Sequence, residues 1–254
     1  MDKSTRTVMV TGGAGGIGAA ICRRFAYAGA RIVVADLDLA RAENVVSEMK
    51  GRSHLAVGID VGSEASVAAA FDAAESGGES VAVLVACAGG TLTHPGKSGA
   101  VVDTSLDDWI ATEALNARGS FLCLREYLRR RFRNPVADGR AVLFSSASAQ
   151  RGSAATGAAY AAAKASVLGL TKQAALEASA HRITVNAVAP GPFDTPALHA
   201  CNPPAVIEGM RKLVPLGRIG RPEELAALVE FIAGAEAGFI TGAVFDINGG
   251  VRMA

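Results

Sequence analysis

The sequence predicts an α/β fold in which a doubly wound parallel β-sheet carries helices on both faces. Three observations indicate this fold: short apolar runs recur along the chain, longer alanine-rich segments separate them, and the short runs do not alternate between apolar and polar residues. A strand that is apolar throughout is typical of a sheet buried on both faces, and strands that alternate with helices favour parallel pairing. We therefore expect about seven strands joined by right-handed crossovers.

In the first half of the chain, four short runs rich in valine, isoleucine and alanine have the composition of strands. They span residues 7–11, 31–36, 54–60 and 81–87. Three segments lie between these runs, at 18–27, 39–49 and 65–75. Their apolar residues recur at intervals of three and four, which predicts amphipathic helices.

The second half continues the same alternation. Strand candidates occupy residues 141–145, 183–189 and 243–247, and helix candidates occupy 106–132 and 158–178. Segments rich in Gly, Pro and Ser at 94–99 and 190–204 predict long loops, which are often functional. We expect a single domain spanning residues 1–254, with a substrate loop at about residues 190–214.

Size and charge limit the classes of function. The chain has 254 residues, of which 50% are hydrophobic, and this is enough for one domain with a substantial core. Its 25 basic and 24 acidic residues are interspersed and give a net charge of +1. This pattern disfavours nucleic acid and anionic lipid as partners, so we expect a small-molecule partner.

Cysteine, histidine and hydropathy patterns narrow the setting. The four cysteines are far apart and form no C-x-x-C pair, which disfavours both a zinc cluster and a disulfide framework. We therefore expect a reduced, cytoplasmic setting. No apolar stretch is long enough to predict secretion or membrane insertion. His54 and His181 lack companions suited to metal binding, so we expect no metal requirement.

A glycine-rich loop connects the first predicted strand to the first predicted helix. It reads Thr11-Gly12-Gly13-Ala14-Gly15-Gly16-Ile17-Gly18. Missing side chains allow a tight turn and let backbone N–H groups approach a pyrophosphate at the positive end of the helix. By itself this motif also fits a methyltransferase or a tight turn without a ligand.

Acidic residues at the ends of two predicted strands suit the adenosine half of a dinucleotide. Asp36 stands at the offset where a carboxylate accepts hydrogen bonds from the ribose hydroxyls. A carboxylate would repel a 2′-phosphate, and neither the glycine loop nor Leu37 supplies a compensating arginine, so NAD is favoured over NADP. Asp60, followed by Val61, is placed to orient the adenine. The alternatives are that Asp36 caps the following helix and that Asp60 serves a turn.

Tyr160 and Lys164 are four residues apart on a predicted helix, in the run Ala158-Ala159-Tyr160-Ala161-Ala162-Ala163-Lys164. Residues at this spacing project from one helix face, so we expect the ammonium to lie near the phenol and to lower its pKa from about 10. A tyrosine tuned in this way suits acid–base catalysis near neutral pH. The alternative is a satisfied core-edge tyrosine beside a solvated lysine.

In order and spacing, these motifs resemble those of the short-chain dehydrogenase/reductase family over nearly the whole chain. The residues that carry the resemblance are Thr11-Gly12, Gly16, Gly18, Asn116, Ser145-Ser146, Tyr160, Lys164, Asn186, Pro190-Gly191, Thr195, Gly217-Arg218, Arg221-Pro222-Glu223-Glu224 and Asn248-Gly249-Gly250. The resemblance implies a Rossmann fold and an NAD(P)-dependent oxidoreductase that interconverts a secondary alcohol and a ketone. It also implies a homo-oligomer, usually a homotetramer.

The resemblance implies specific roles. Tyr160 would be the acid/base, Lys164 would lower its pKa and hold the nicotinamide ribose, and Asn116 would support a water-linked proton path. Ser146 would hydrogen-bond the substrate oxygen, with Ser148 as its rival. The implied cofactor contacts are Gly12, Gly15, Gly16, Ile17, Gly18, Asp36, Leu37, Asp60, Val61, Ala88, Gly89, Tyr160, Lys164, Pro190, Gly191, Phe193 and Thr195. Local hydrogen bonding is the alternative for Asn116, and a plain turn is the alternative for the segment from Pro190 to Thr195.

The chain departs from the family pattern after the fourth predicted strand. Where relatives commonly carry two asparagines before Ala-Gly, this chain has Ala86-Cys87-Ala88-Gly89. Side-chain hydrogen bonds that tie the central strands together are therefore missing, and it is open whether Asn116 meets its usual neighbours. Cys87 is either a redox-sensitive thiol or, more simply, a small buried hydrophobe.

Other features leave alternatives open. The arginines at 125, 129, 130, 131 and 133 form either a docking patch for an acidic carrier protein or a solvated helix end that complements the dipole. The apolar residues Trp109, Leu115, Phe121, Leu122 and Leu124 belong either to a subunit interface or to the core. Residues expected near the pocket mouth are His94, Gln150, Arg151, His199 and Met210.

Three functions compete with the leading interpretation of a secondary-alcohol dehydrogenase. A 3-oxoacyl-[acyl-carrier-protein] reductase would share the fold and the chemistry. A binding protein that senses NAD would bind the nucleotide without turnover, which leaves the tyrosine–lysine pair unexplained. A methyltransferase would leave Ser146, Tyr160 and Lys164 without a purpose.

Overall fold

Seven parallel strands form one sheet in the computed structural model, which describes residues 6–51, 53–92, 99–153 and 155–253. The strands are β1 (Thr7–Thr11), β2 (Arg31–Asp36), β3 (Leu55–Gly58), β4 (Val81–Ala86), β5 (Arg140–Phe144), β6 (Thr184–Pro190) and β7 (Val244–Ile247). Their spatial order is β3-β2-β1-β4-β5-β6-β7. This confirms the predicted doubly wound sheet and places its topological switch between β1 and β4.

Helices connect the strands and cover both faces of the sheet. They are α1 (Gly16–Tyr27), α2 (Leu39–Glu48), α3 (Glu64–Glu75), α4 (Leu106–Glu113), α5 (Gly119–Arg133), α6 (Ala147–Arg151), α7 (Ala158–Ser179), α8 (Pro196–Cys201), α9 (Pro204–Leu213) and α10 (Pro222–Ile232). No helix among the described residues is both long enough and apolar enough to cross a membrane.

Two apolar clusters lie on opposite faces of the sheet. One contains Phe71 of α3, Leu124 of α5 and Val167 of α7, and the other contains Ile21 of α1 and Leu225 of α10. Successive strand residues contribute to opposite clusters because side chains alternate across a strand. The strands are therefore almost wholly apolar, which is the pattern that predicted them.

Several elements differ from the sequence-based expectation. The predicted helix at 106–132 is divided by a π-helical turn at Ala114–Arg118, and β3 ends two residues before the predicted strand at 54–60 does. The segment treated as a loop at 190–204 contains α8 and the start of α9. Proline stands at the first position of both helices, where its missing N–H costs nothing. His94 lies outside the described residues.

Candidate active site

A cavity of about 360 Å³ opens at the carboxyl ends of β1, β2 and β4, beside the switch point where α/β sheets bind ligands. A larger cleft, of about 510 Å³, is lined by Arg6, Ala30 and Asp138, which lie at the amino ends of their strands. The smaller cavity is lined by Gly12, Gly15, Gly16, Ile17, Gly18, Asp36, Leu37, Arg41, Ile59, Asp60, Val61, Cys87, Ala88, Gly89, Leu115, Thr195 and Ala197. Twelve of these were expected to contact the cofactor, and the structure brings them together.

The glycine loop has no room for side chains at four of its positions, Gly12, Gly13, Gly16 and Gly18. Gly12 has a φ of +66°, and a Cβ there would lie 2.8 Å from the Ala88 Cα. A Cβ on Gly18 would lie 2.1 Å from the carbonyl oxygen of Gly12, and one on Gly16 would lie 2.9 Å from the Thr195 Cβ. Gly15 caps α1 without a side-chain hydrogen bond. The amino end of α1 therefore faces the cavity with backbone N–H groups that suit a phosphate.

Asp36 ends β2 and forms one wall of the cavity. Its Oδ2 accepts a hydrogen bond from the Ala14 N–H at 2.9 Å, and its Oδ1 accepts one from the Asp38 N–H at 3.1 Å. The residue that caps α2 is Asp38, whose Oδ1 accepts the Arg41 N–H at 3.1 Å. The alternative that Asp36 caps the helix is therefore wrong, and its carboxylate is held at the cavity.

Arg41 was missed by the sequence-based search for an arginine beside Asp36. It lies in the first turn of α2, lines the cavity, and donates from Nη2 to the carbonyl oxygen of Ala14 at 3.0 Å. The search covered only the glycine loop and the residue after Asp36. A helix that starts immediately after β2 can direct a residue of its first turn back toward the glycine loop. The predicted start of this helix at residue 39 was therefore a signal that could have found Arg41.

Asp60 and Val61 also line the cavity. Asp60 Oδ1 accepts a hydrogen bond from the Gly62 N–H at 2.9 Å, and the Asp60 N–H donates to Ser66 Oγ at 2.9 Å. Asp60 therefore forms a turn and also stands at the cavity wall, and its contact with the adenine stays a prediction.

Asn116 is fully buried in the π-helical turn and holds the loop after β4. Its Oδ1 accepts the Gly90 N–H at 3.0 Å, while its Nδ2 donates to the carbonyl oxygens of Gly90 and Thr112, each at 3.0 Å. A π-helical turn widens the helix locally and is frequent at functional sites. Asn116 keeps this network although the two family asparagines are missing.

Cys87 replaces one of those asparagines and lines the cavity. Burial raises the pKa of its thiol to about 12, in part offset by Lys164. A thiol with this pKa stays protonated and is a poor nucleophile, which favours the interpretation as a small hydrophobe. Thr11 supplies a substitute tie between the central strands, because its Oγ1 accepts the Ala88 N–H at 3.2 Å.

Lys164 links α7 to the end of β5. Its Nζ donates to the carbonyl oxygen of Phe144 at 3.0 Å, and its own carbonyl accepts from Ser145 Oγ at 2.8 Å. The side chain is 3% exposed, and burial lowers the pKa of its ammonium to about 8. A Cβ on Gly89 would lie 2.7 Å from Lys164 Nζ and 2.8 Å from Asn116 Oδ1, so both groups flank this glycine.

Tyr160 stands beside this lysine as the helical spacing predicted. Lys164 Nζ lies 5.8 Å from the centroid of the Tyr160 ring. The expected direction of the pKa shift is wrong for the protein groups alone: burial raises the pKa of the Tyr160 phenol, and hydrogen bonding with the Ser146 hydroxyl lowers it only in part. The Lys164 Nζ donates its hydrogen bond to the Phe144 carbonyl oxygen instead.

The contacts distinguish the two candidate serines. The Ser146 hydroxyl is close enough to the Tyr160 phenol to lower its pKa, and the Ser146 Oγ accepts the Ser148 N–H at 3.1 Å. Ser148 contributes its backbone to this arrangement. The structure therefore groups Ser146 with Tyr160 and Lys164.

The segment after β6 is only partly in the cavity. Thr195 lines it and caps α8, with its Oγ1 accepting the Leu198 N–H at 3.2 Å. The Phe193 side chain is buried against Gly220 instead. The residues that line the cavity do not include Pro190, Gly191 or Phe193. Any contact between these three residues and a dinucleotide therefore lies outside the cavity.

The arginines of α5 mostly pair with acidic residues of α3. Arg125 and Arg130 form ion pairs with Glu64 and Asp72 of α3, and Arg131 is buried against Glu75, so most of the arginine cluster joins α5 to α3.

The apolar residues of α4, α5 and the turn between them divide between core and surface. Leu122 and Leu124 belong to the core, and Leu115 packs against it, whereas Trp109 and Phe121 are exposed. Within the described ranges, no three side chains of the His, Cys, Asp or Glu type form a group suited to a metal ion.

Residues 12–252 match a family described as "Enoyl-(Acyl carrier protein) reductase". A cis-4-hydroxycyclohexanecarboxylate dehydrogenase from Sinomonas cyclohexanicum is 38% identical and covers 96% of this chain and 96% of the relative. An NADPH-dependent aldehyde reductase-like chloroplastic protein from Arabidopsis thaliana is 35% identical over 96% of this chain and 93% of its own.

Two solved structures of similar proteins superpose closely on this chain. A 3-oxoacyl-[acyl-carrier protein] reductase from Brucella melitensis superposes with a TM-score of 0.91 at 31% identity, covering 99% of this chain and 94% of that one. A short-chain dehydrogenase/reductase from Serratia marcescens superposes with a TM-score of 0.88 at 33% identity, covering 99% of both chains.

Proposed function

Because the chain belongs to the short-chain dehydrogenase/reductase family, we propose that its cavity binds NAD and that Tyr160, Lys164, Ser146 and Asn116 carry out proton transfer. The protein is an NAD(P)-dependent oxidoreductase that interconverts a secondary alcohol and a ketone. The proposal concerns which residues do this and which nucleotide they favour. The observation that carries it is the contact of Ser146 and Lys164 with Tyr160 at the carboxyl edge of the sheet.

The residues at the cavity fit a dinucleotide. Only glycine fits at positions 12 and 18, because a Cβ there would clash with the backbone of Ala88 and of Gly12. The uncapped N–H groups at the amino end of α1 suit the charge of a pyrophosphate. Asp36 is fixed at the end of β2 by two backbone N–H groups, with lone pairs left for ribose hydroxyls. A carboxylate here opposes a 2′-phosphate, which supports NAD as the preferred nucleotide.

When bound, a nicotinamide supplies the hydride acceptor for alcohol oxidation and the hydride donor for ketone reduction. During reduction, the Tyr160 phenol gives its proton to the carbonyl oxygen of the ketone. During oxidation, the Tyr160 phenolate takes the hydroxyl proton of the alcohol. The Ser146 hydroxyl donates a hydrogen bond to the reacting oxygen and stabilises the charge that develops on it.

The electrostatics of the pair suit a group that must change charge in each turnover. Burial raises the pKa of the Tyr160 phenol and so favours the protonated form, which is the form needed to reduce a ketone. The ammonium of Lys164 stabilises the phenolate that remains after proton transfer. Lys164 and Asn116 flank Gly89, and they are placed to return a proton from solvent to Tyr160.

Substitution of the tyrosine tests this proposal. Tyr160→Phe keeps the ring but removes the proton donor, so we expect kcat to fall by at least about a hundredfold. NAD binding should change little, because the ring still fills its place. The measurement is absorbance of the reduced nicotinamide with a panel of secondary alcohols and ketones.

Tyr27→Phe is the matched control, since Tyr27 is 97% exposed on α1. Full activity in Tyr160→Phe would contradict the acid–base assignment. Tight NAD binding without turnover of any alcohol or ketone would instead favour a nucleotide-sensing protein.

A reductase of 3-oxoacyl thioesters is the second candidate. The superposition on the Brucella melitensis reductase supports it. The arginines on α5 do not, because most of them are already paired with α3 or with α5 itself and have little charge left for an acidic carrier. Kinetics with a 3-oxoacyl thioester, free and attached to acyl carrier protein, separate the candidates: a preference for the carrier-bound form would favour the reductase.

The segment at about 190–214 is proposed to bind substrate. It includes α8 and α9, whose residues are exposed or half-buried. His199 and Met210 lie on these helices, and His199 Nε2 is 2.5 Å from Asp194 Oδ1. These residues are placed to select the substrate rather than to carry out the chemistry.

A further inference from the structure

Arg41 has no role in the catalytic proposal, yet it stands at the cofactor cavity. The residue is exposed, and it lines the cavity together with Asp36 and Leu37. Its only side-chain hydrogen bond among the described residues goes from Nη2 to the carbonyl oxygen of Ala14 at 3.0 Å. No carboxylate of the described residues forms an ion pair with it, in contrast to Arg23, which pairs with Glu48.

Arg41 and Asp36 hold the same loop residue from opposite sides. The Ala14 N–H donates to Asp36 Oδ2, while the Ala14 carbonyl accepts from Arg41. A carboxylate and a guanidinium therefore flank the part of the cavity where Asp36 is proposed to meet the adenosine ribose. The remaining N–H groups of Arg41 form a planar fork that matches a phosphate.

Resting on the proposed function, we propose that Arg41 is a second residue that determines nucleotide specificity. Its guanidinium binds the 2′-phosphate of NADP and offsets the repulsion by Asp36. The protein therefore accepts both nucleotides, with NAD bound more tightly. Asp36 sets the preference for a free ribose hydroxyl, and Arg41 limits how strong that preference is.

Charges on neighbouring elements support this balance. The Asp36 carboxylate is engaged by two backbone N–H groups, and Asp38 Oδ1 accepts the Arg41 N–H. Both side chains are carboxylates close to Arg41, so a 2′-phosphate would meet repulsion here without a cation. Arg41 is the only Lys or Arg side chain among the described residues lining this cavity.

Binding of two small nucleotides tests the proposal without turnover. Adenosine 5′-monophosphate and adenosine 2′,5′-bisphosphate differ only in the 2′-phosphate, and calorimetry with the full chain measures the affinity for each. In Arg41→Gln, an amide donor is kept for the Ala14 carbonyl but the charge is lost. We expect this variant to bind the bisphosphate about tenfold more weakly, while its affinity for the monophosphate changes less than about twofold.

Salt and a control variant sharpen the comparison. Raising the ionic strength from about 0.01 M to about 1 M shortens the screening length from about 30 Å to about 3 Å. The higher ionic strength should weaken the binding of the bisphosphate more in the wild type than in Arg41→Gln. Arg23→Gln, an exposed arginine on α1 that is already paired with Glu48, should bind both nucleotides like the wild type.

The remaining outcomes are decisive. An equal loss for both nucleotides in Arg41→Gln would make Arg41 a support of the glycine loop and overturn the proposal. An unchanged affinity for the bisphosphate would overturn it as well. If neither nucleotide binds to the wild type, the cofactor site and this inference both fail. If both bind as expected but no alcohol or ketone is turned over, only the proposed catalytic roles fail.

Discussion

Lys164 shows how burial and function compete at a single residue. Its ammonium is almost completely buried and has one hydrogen bond, to the Phe144 carbonyl. Burial disfavours the charged form, which is why its pKa is lowered to about 8. The charge is costly to the fold but would be useful beside the phenol that we propose as the acid–base group, and such costs are typical of functional sites.

This cost predicts a pH dependence of stability. Lys164 has a folded pKa of about 8 and an ordinary value of 10.5, so between these values the unfolded chain binds more protons than the folded one. The destabilisation is therefore complete below pH 8 and is relieved as the pH rises toward 10.5. In Lys164→Met this dependence is absent. The free energy of unfolding of the variant, relative to the wild type, should fall by on the order of 2 kcal/mol between pH 7 and pH 10.

Urea unfolding at several pH values measures this difference. Lys172→Met is the control, because Lys172 is an exposed lysine of the same helix, and its difference from the wild type should change much less with pH. A constant difference between Lys164→Met and the wild type would show that the buried amine does not titrate in this range.

At the scale of elements, α3 and α5 are joined by ion pairs of unequal burial. Arg131 is 1% exposed and its Nη2 lies 2.6 Å from Glu75 Oε1, while Arg130 Nη1 lies 3.2 Å from Glu75 Oε2. Glu75 Oε1 also accepts the Val81 N–H at 2.8 Å, so this carboxylate ties α5 and the start of β4 to the end of α3. Arg125 pairs with Glu64, which is 65% exposed.

The two carboxylates give a matched pair of substitutions on one helix. Glu75→Ala leaves the buried guanidinium of Arg131 without its partner, and we expect it to lower the free energy of unfolding by about 3 kcal/mol. Glu64→Ala removes an exposed partner of Arg125 and should lower the free energy of unfolding by about 1 kcal/mol or less. Denaturant unfolding of both variants measures this, and equal costs would refute the distinction by burial.

The π-helical turn at Ala114–Arg118 positions Asn116 in a way that the sequence could not indicate. Periodicity predicted one helix from 106 to 132, since apolar spacing continues through the turn. The turn adds one residue to the hydrogen-bonded ring and places the Asn116 amide against Gly90. Because the interruption depends on a partner 26 residues away, no local signal could predict it.

At the scale of the molecule, the fold was predictable because the parallel strands are almost wholly apolar. Residues 7–11 and 31–36 were placed with their observed bounds, and the tyrosine–lysine spacing needed only helical geometry. The sequence-based view failed where distant segments meet. Arg41 reaches the glycine loop through the packing of α2, Phe193 turns away from the cavity to pack against Gly220, and the direction of the Tyr160 pKa shift depends on how deeply the site is buried.

A group of exposed apolar side chains lies on α4 and α5. The α4/α5 patch consists of Leu106, Trp109, Ile110 and Phe121, which are 71%, 43%, 48% and 42% exposed. Clusters of exposed apolar side chains are common at interaction sites, and homo-oligomers usually use one patch on both subunits. A second copy of this chain is therefore the expected occupant, in agreement with the predicted homotetramer.

Charged substitutions in the patch test this assembly. In the double variant Trp109→Glu and Phe121→Glu, carboxylates would lose their hydration in the interface, so we expect the mass from light scattering to fall to a smaller assembly or a monomer. Leu39→Glu is the control, since Leu39 is 43% exposed on α2 and lies outside the patch. Circular dichroism shows whether each variant remains folded. A monomeric wild type at micromolar concentration would contradict the prediction, and an unchanged mass in the folded double variant would move the interface to another face.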